Sequence, residues 1–287
     1  MNFNEFAQKE YRNHQAFSAL AKIESNPDFK LVLEQLAEFE QGHYRFWQEL
    51  ANAVAPGLRS WQLKLLLLSR KLFGLTFTVK FLEMMEGDMV ERAREYLFSN
   101  DHPERKQIEE IIYIEEPQEE KLIRQIKEER VEFTGSIVLG LNDGLIELSG
   151  ALTGFLFAFR DHLTVALAGV ILGISASLSM AASAYLQARQ ERGKSPAKAA
   201  LYTGLAYLVV VVLLVAPFGL FRDNLTSLVA MIITVLAIVL GLSFYTAVIF
   251  SRNFYRSFSE MLLFSVGTAF VTFLIGSAAR ALFGIEV

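Results

Sequence analysis

The sequence predicts an all-α protein in two parts: a four-helix bundle over residues 1–130 and five membrane-spanning helices over 131–287. Three observations predict it. Hydrophobic residues make up 53% of the 287-residue chain while charged residues still reach 20%, and the two classes are segregated, with most Glu and Lys in 1–132 and apolar and small residues in 133–287. The second part divides into five apolar runs of about 22–27 residues, each enough to cross a hydrocarbon core of about 30 Å. In the first part apolar residues recur at helical spacing. The length fits about two domains. A net charge of −4 with no basic stripe excludes nucleic acid as a partner. There are no cysteines, so disulfides and thiolate metal sites are excluded and the redox compartment is left open. The opening stretch MNFNEFAQKE has no apolar h-region, which predicts no cleavable signal peptide.

The first helix spans 4–24, with Phe6, Tyr11, Phe17, Leu20 and Ala21 as its apolar stripe. Asn26-Pro27-Asp28 is a turn signal, and 28–52 is the second helix, carrying Leu31, Leu33, Leu36, Phe39 and Trp47. The run 61–82 is long enough to suggest a further span. Lys64, Arg70, Lys71 and Lys80 argue against that, since four cations in a bilayer core are very costly. It reads as a buried connection and the start of a third helix, 76–98, with an apolar face free for a second subunit or for the membrane surface. A fourth helix covers 103–130.

Acidic residues punctuate these helices. Glu40 and His43 are i,i+3 on the second helix, the spacing by which di-iron bundles present a carboxylate and an imidazole on one face. Glu83 and Glu86 repeat that spacing on the third, Glu115 and Glu119 are i,i+4 on the fourth, and Glu10 lies inside the first. Exposed Glu is common, and each residue alone reads as solvated. Four helices each supplying one makes a carboxylate-rich site for iron or manganese.

The spans cover about 133–159, 163–187, 199–220, 225–250 and 258–283. Lys121, Arg124, Lys127 and Arg130 precede the first. Arg189, Arg192, Lys194 and Lys198 surround the second–third connector, and Arg252 and Arg256 the fourth–fifth, against Arg160, Arg222 and Arg280 on the other side. The positive-inside rule then puts the N-terminus in the cytoplasm and, after five spans, the C-terminus outside. Gly140/Gly144, Gly150/Gly154 and Gly169/Gly173 are spaced for close helix packing. Asp143 lies about ten residues, or about 15 Å, into the first span, near the bilayer midplane, and Glu147 shares its helix face. A charge at that depth costs at least about 2.5–3.5 kcal/mol and marks a cation or proton path, unless helix–helix hydrogen bonds satisfy it. Met180, in a second span made polar by Ser175, Ser177, Ser179 and Ser183, offers a thioether that suits Fe²⁺ better than Mg²⁺ or Ca²⁺.

Ser-Ile-Val-Leu-Gly-Leu-Asn-Asp-Gly-Leu-Ile at 136–146 and Ser179-Met180-Ala181 resemble the first- and second-helix motifs of the vacuolar iron transporter family, over the whole of 133–287. The resemblance implies a divalent metal transporter moving Fe²⁺ or Mn²⁺ out of the cytosol, with Asp143 and Met180 as intramembrane metal residues. Ala184 stands where that family has Glu, and the short second–third connector lacks the Glu-rich insert of plant and fungal members.

Residues 36–47 and the pair Glu83/Glu86 resemble the second- and third-helix motifs of the rubrerythrin branch of ferritin-like proteins. On the fourth helix Gln118 stands where that branch has His, and Pro117 interrupts. The resemblance covers about 4–130 and implies an iron or di-iron site of Glu10, Glu40, His43, Glu83, Glu86, Glu115 and Glu119. Together the halves resemble the membrane-bound ferritin type, a ferritin-like domain fused ahead of a vacuolar-iron-transporter-like domain. This double resemblance implies a multi-pass protein of a bacterial or archaeal cell membrane, with metal ions, protons and lipid as partners, and the apolar face of 61–82 points to a homodimer. Its bundle feeds or regulates export, with exchange against protons. The rival expectation is a membrane-anchored ferroxidase or peroxidase of rubrerythrin type. Fe²⁺ against Mn²⁺ stays open.

Overall fold

The computed structural model describes residues 2–52, 56–99, 103–126, 128, 133–159, 161–191 and 193–283, apart from the side chains of 86–90, 98–99, 115–116 and 283. Among these there are eleven α-helices, one π-helical turn and no strand. The chain divides into two compact units, Met1–Glu129 and Arg130–Val287.

In the first unit, α1 (Phe3–Ile23) and α2 (Pro27–Ala51) pack as a pair. Asn26 caps α2, its side chain accepting from the backbone N–H groups of Asp28 and Phe29, with Pro27 in the first turn where no N–H is needed. Buried residues follow a 3–4 spacing: Phe6, Glu10, Asn13, Phe17 and Leu20 on α1, and Leu33, Leu36, Glu40, His43 and Trp47 on α2. Two apolar clusters fill the interior. One gathers Phe17, Leu20, Leu33, Leu36, Leu75, Val79 and Ile123. The other gathers Phe6, Trp47, Ala93, Leu97, Ile108 and Ile112. In sequence, Glu10, Glu40, His43 and Glu119 lie between the residues that α1, α2 and the last helix give to these clusters, so they form a polar layer within an apolar stack.

Two expectations are corrected here. The run 61–82 is not a buried connection: α3 (Ser60–Phe73) is a helix of its own with no buried residue. It ends at Gly74, whose φ of +97° strains any residue with a side chain and whose nearest neighbour is the Glu128 carboxylate, and α4 (Leu75–Ser99) starts afresh. Arg70 ties α3 down, 2.7 Å from Glu24 and 3.5 Å from Glu128. Trp61, Leu65, Leu68 and Leu72 form an exposed stripe along it. The fourth predicted helix, 103–130, is not uniform either. It runs as α5 (Arg105–Glu110), a π-helical turn (Ile111–Glu115) and α6 (Glu116–Ile123). Pro117 explains the break: it cannot donate into a continuous α-helix but is tolerated in the first turn of a new one.

The second unit is built from α7 (Thr134–Ala158), α8 (His162–Gln190), α9 (Pro196–Leu220), α10 (Asn224–Phe250) and α11 (Phe254–Phe283). Asp161 and Asp223 cap α8 and α10 through the N–H groups of Thr164 and Thr226, each at 2.8 Å. Four helices, α8 to α11, are long and apolar enough to cross a membrane. The expected first span, α7, has 25 residues but is not among the four, because Asn142, Asp143 and Glu147 lower its hydropathy. It is also the central helix, packing against each of the other four. Its glycines bring them close. A Cβ at Gly140 would strike the Thr203 carbonyl oxygen, and one at Gly150 would stand 2.7 Å from the Thr268 side chain. Leu145, Leu148 and Leu152 of α7 join Tyr207, Val210, Leu214 and Phe218 of α9 in the core.

Candidate metal centres

In the first unit, Glu10, Glu40 and His43 bring one ligand atom each within 4.8 Å of one another, and all three are buried. Glu119 joins them from α6, its Oε1 3.6 Å from His43 Nδ1, while Glu10 Oε2 lies 3.8 Å from the same nitrogen. Burial opposes charge on Glu10, but hydrogen bonds with His43 and with Glu40 outweigh it and hold the carboxyl below its usual value. Three carboxylates and an imidazole in an apolar bundle are costly unless paired or metal-bound. Oxygen and imidazole donors fit Fe²⁺ or Mn²⁺, and a cation entering there displaces protons.

Of the other expected ligands, Glu83 falls elsewhere. Glu83 is half-buried and is not in the cluster; its charged neighbours are Lys80, Glu120 and Arg124, and burial with Glu120 raises its carboxyl. The side chains of Glu86 and Glu115 lie outside the described residues. Gln118, at the position expected for His, is exposed, while Glu119 beside it is 7% exposed. The π-helical turn adds a residue to one turn and so re-aims the side chains after it, a shift that 3.6-residue spacing does not reveal. Asn13 is a buried neighbour that sequence reasoning missed. Its signal was a polar residue at an apolar-stripe position, three residues after Glu10.

In the second unit, Asp143 is half-buried and Glu147 exposed. Tyr207 of α9, fully buried, donates its hydroxyl to Glu147 Oε2 at 2.9 Å. The contact depends on Gly144, since a Cβ there would stand 3.3 Å from the Tyr207 ring. Thr203, one turn earlier, donates to the Ser136 carbonyl at 3.1 Å. Met180 is partly buried against the core cluster that includes Tyr207. The side-chain oxygen of Asn142, beside Asp143, is buried with no hydrogen-bond partner among the described residues. Neither Tyr207 nor Asn142 stands out in the sequence as a site residue: a Tyr inside an aliphatic span reads as packing, and Asn142 reads only as part of a motif.

A family model coincides with this second unit. The model of the VIT family matches residues 134–194 and 188–277, together half of the chain. The chain belongs to the VIT family. The family is one of membrane transporters of iron and manganese, and four membrane-length apolar helices make this member a multi-pass membrane protein. The match begins at Thr134 and takes in Asp143, Glu147, Met180 and Tyr207. It does not extend to the first unit. No curated protein and no solved structure matches the chain.

Proposed function

We propose that the chain exports Fe²⁺ or Mn²⁺ from the cytosol in exchange for protons, and that residues 1–130 form a ferritin-like domain that binds the metal and feeds or regulates transport. The observation that carries the reading is the family match falling on the helix that holds Asp143 and Glu147. A helix that serves only as an anchor has no use for carboxylates at that depth. Asp143 supplies charge to the passing cation, Met180 a soft donor, and Glu147, held by Tyr207, a second oxygen ligand. Carboxylates that release a metal can take up protons, which supports exchange. The direction of transport rests on the resemblance to the vacuolar iron transporters.

We take α7 as the fifth span. Its 25 residues reach about 38 Å at 1.5 Å per residue, and packing against four neighbours shelters its polar centre. The excess of Lys and Arg before α7 and in the α8–α9 and α10–α11 connectors supports a cytoplasmic N-terminus and an outer C-terminus in a bacterial or archaeal cell membrane. Glu147 supports a homodimer. A carboxylate exposed on a single chain at bilayer depth is costly against lipid, and a second copy covering that face removes the cost. The α3 stripe of Trp61, Leu65, Leu68 and Leu72 is an apolar surface that also suits a second copy of the chain.

The bundle reading rests on the polar layer of Glu10, Glu40, His43 and Glu119. The same layer is what a membrane-anchored ferroxidase or peroxidase of the rubrerythrin type would use, and Asp143 and Glu147 favour transport over it. Metal flux into proteoliposomes tests the function, with Fe²⁺ and Mn²⁺ compared and internal pH followed by a trapped dye. Metal uptake with opposite proton movement is the expected result. Metal oxidation without uptake would make the anchored enzyme the better account.

A further inference from the structure

The polar layer of the bundle is buried, so a cation needs a route to it. A cleft of about 560 Å³ reaches it from outside, lined by α2 and α5 and touching His43. Its wall includes Glu38, Gly42 and Phe46 of α2, one turn apart, and Gln107 and Glu110 of α5. His43 is 4% exposed and bounds the cleft on the inside. Glu38 and Glu110 are exposed and bound it on the outside.

Gly42 is the unexpected residue in that wall. A glycine in the middle of a 25-residue helix weakens the helix relative to alanine, and the usual reasons for tolerating one are absent. Its φ is not positive. A Cβ built on it meets nothing within 4 Å, so no neighbouring backbone or side chain needs the space. Gly241 and Gly267 are open in the same way, and what sets Gly42 apart is its place in the wall of the cleft. The space left by Gly42 is the cleft itself, beside the imidazole of the next residue.

We propose that this cleft is the port by which a divalent cation enters the bundle, that Gly42 keeps it open at His43, and that Glu38 and Glu110 draw the cation in. The inference rests on the metal-binding reading of Glu10, Glu40, His43 and Glu119. A side chain at position 42 projects into the opening and obstructs it without touching a ligand. Carboxylates at the mouth raise the local concentration of cations, an effect that salt screens.

The test uses the full-length chain in detergent and Mn²⁺ alone, followed by loss of the free-ion electron paramagnetic resonance signal after rapid mixing. Binding at the bundle is the fraction lost in the Glu40→Gln, His43→Asn double variant. With Gly42→Leu the loading rate should fall at least about tenfold, with the final number of bound ions unchanged, the mark of a blocked route rather than a weakened site. Gly42→Ala should fall between Leu and wild type. With Glu38→Gln and Glu110→Gln together, loading should slow and lose most of its dependence on ionic strength. These two exposed residues carry the test if Gly42→Leu disturbs the helix. Wild-type loading rates in Gly42→Leu, or an unchanged rate and salt dependence in the double Gln variant, would overturn the port. If the wild type binds no more Mn²⁺ than the Glu40→Gln, His43→Asn variant, the metal-binding reading itself fails and the port with it.

Discussion

His43 stands among three carboxylates, from α1, α2 and α6, in a layer with apolar residues on both sides. All four of its residues are candidates in the sequence, Glu119 as one of an i,i+4 pair. Glu40 and His43 share a helix face by spacing alone, and Glu10 and Asn13 interrupt an apolar stripe where polar side chains are expensive. Glu119 is harder to read, because the π-helical turn before it shifts the register. Replacing Glu40 with Gln and His43 with Asn removes one carboxylate charge and the imidazole donor. Bound Mn²⁺ or Fe²⁺, measured by elemental analysis of the purified chain, should fall while far-ultraviolet dichroism stays unchanged. Equal metal content in the variant and the wild type would make the layer a structural polar cluster. In the second unit the informative residue is Tyr207, whose hydroxyl reaches Glu147. Tyr207→Phe removes one hydrogen bond and leaves the ring packed, so transport should drop less than it does on losing Asp143. A Tyr207→Phe rate as low as that of Asp143→Asn would place the hydroxyl in the path rather than beside it.

Helix α3 is held to its unit by Arg70, whose guanidinium lies against Glu24 and Glu128. Burial works against charge on Glu24, yet hydrogen bonds from the Asn26 backbone and from Arg70 hold its carboxyl below the usual value. A carboxyl lowered by folding stabilises the folded state fully above its unfolded value and loses that contribution as the pH falls through the folded one. Arg70→Ala should therefore cost about 1–3 kcal/mol near neutral pH. The difference in thermal unfolding between variant and wild type should shrink as the pH drops below the carboxylate range. A gap that stays constant with pH would mean Arg70 acts through packing alone. Among the membrane helices, Gly140 and Gly241 make a matched pair. A Cβ at Gly140 strikes the Thr203 carbonyl, while one at Gly241 meets nothing within 4 Å. Gly140→Ala should lower stability by about 1–3 kcal/mol through overpacking, and Gly241→Ala should not. Equal melting temperatures would mean that α7 and α9 are not held at the separation seen here. The small-residue spacings are legible in the sequence, but which helix each pair admits is not, since spacing carries no partner. The independence of α3 is illegible for a similar reason: the apolar run continues through Gly74, and only the positive φ there separates two helices.

At the scale of the whole molecule, the division into a charged helical unit and an apolar one follows from composition, and the family match falls on the second. The count of spans is less legible, because the helix that matters most lacks the long uninterrupted apolar stretch that the other four carry. Fusion reporters address it. A reporter active only in the cytoplasm should work at the N-terminus and fail after Val287, and activity at both ends would point to an even number of spans. The central claim is that α7 carries a cation through the membrane on Asp143. Asp143→Asn keeps the shape and the hydrogen-bonding capacity of the side chain, removes its charge, and is easier to insert into lipid. Met180→Leu keeps volume and removes the sulfur. The decisive measurement is the initial rate of Fe²⁺ and Mn²⁺ uptake into proteoliposomes holding equal amounts of wild type, Met180→Leu or Asp143→Asn. The account predicts wild-type uptake well above protein-free vesicles, an intermediate rate for Met180→Leu, and near-background uptake for Asp143→Asn; wild-type rates in Asp143→Asn would contradict it.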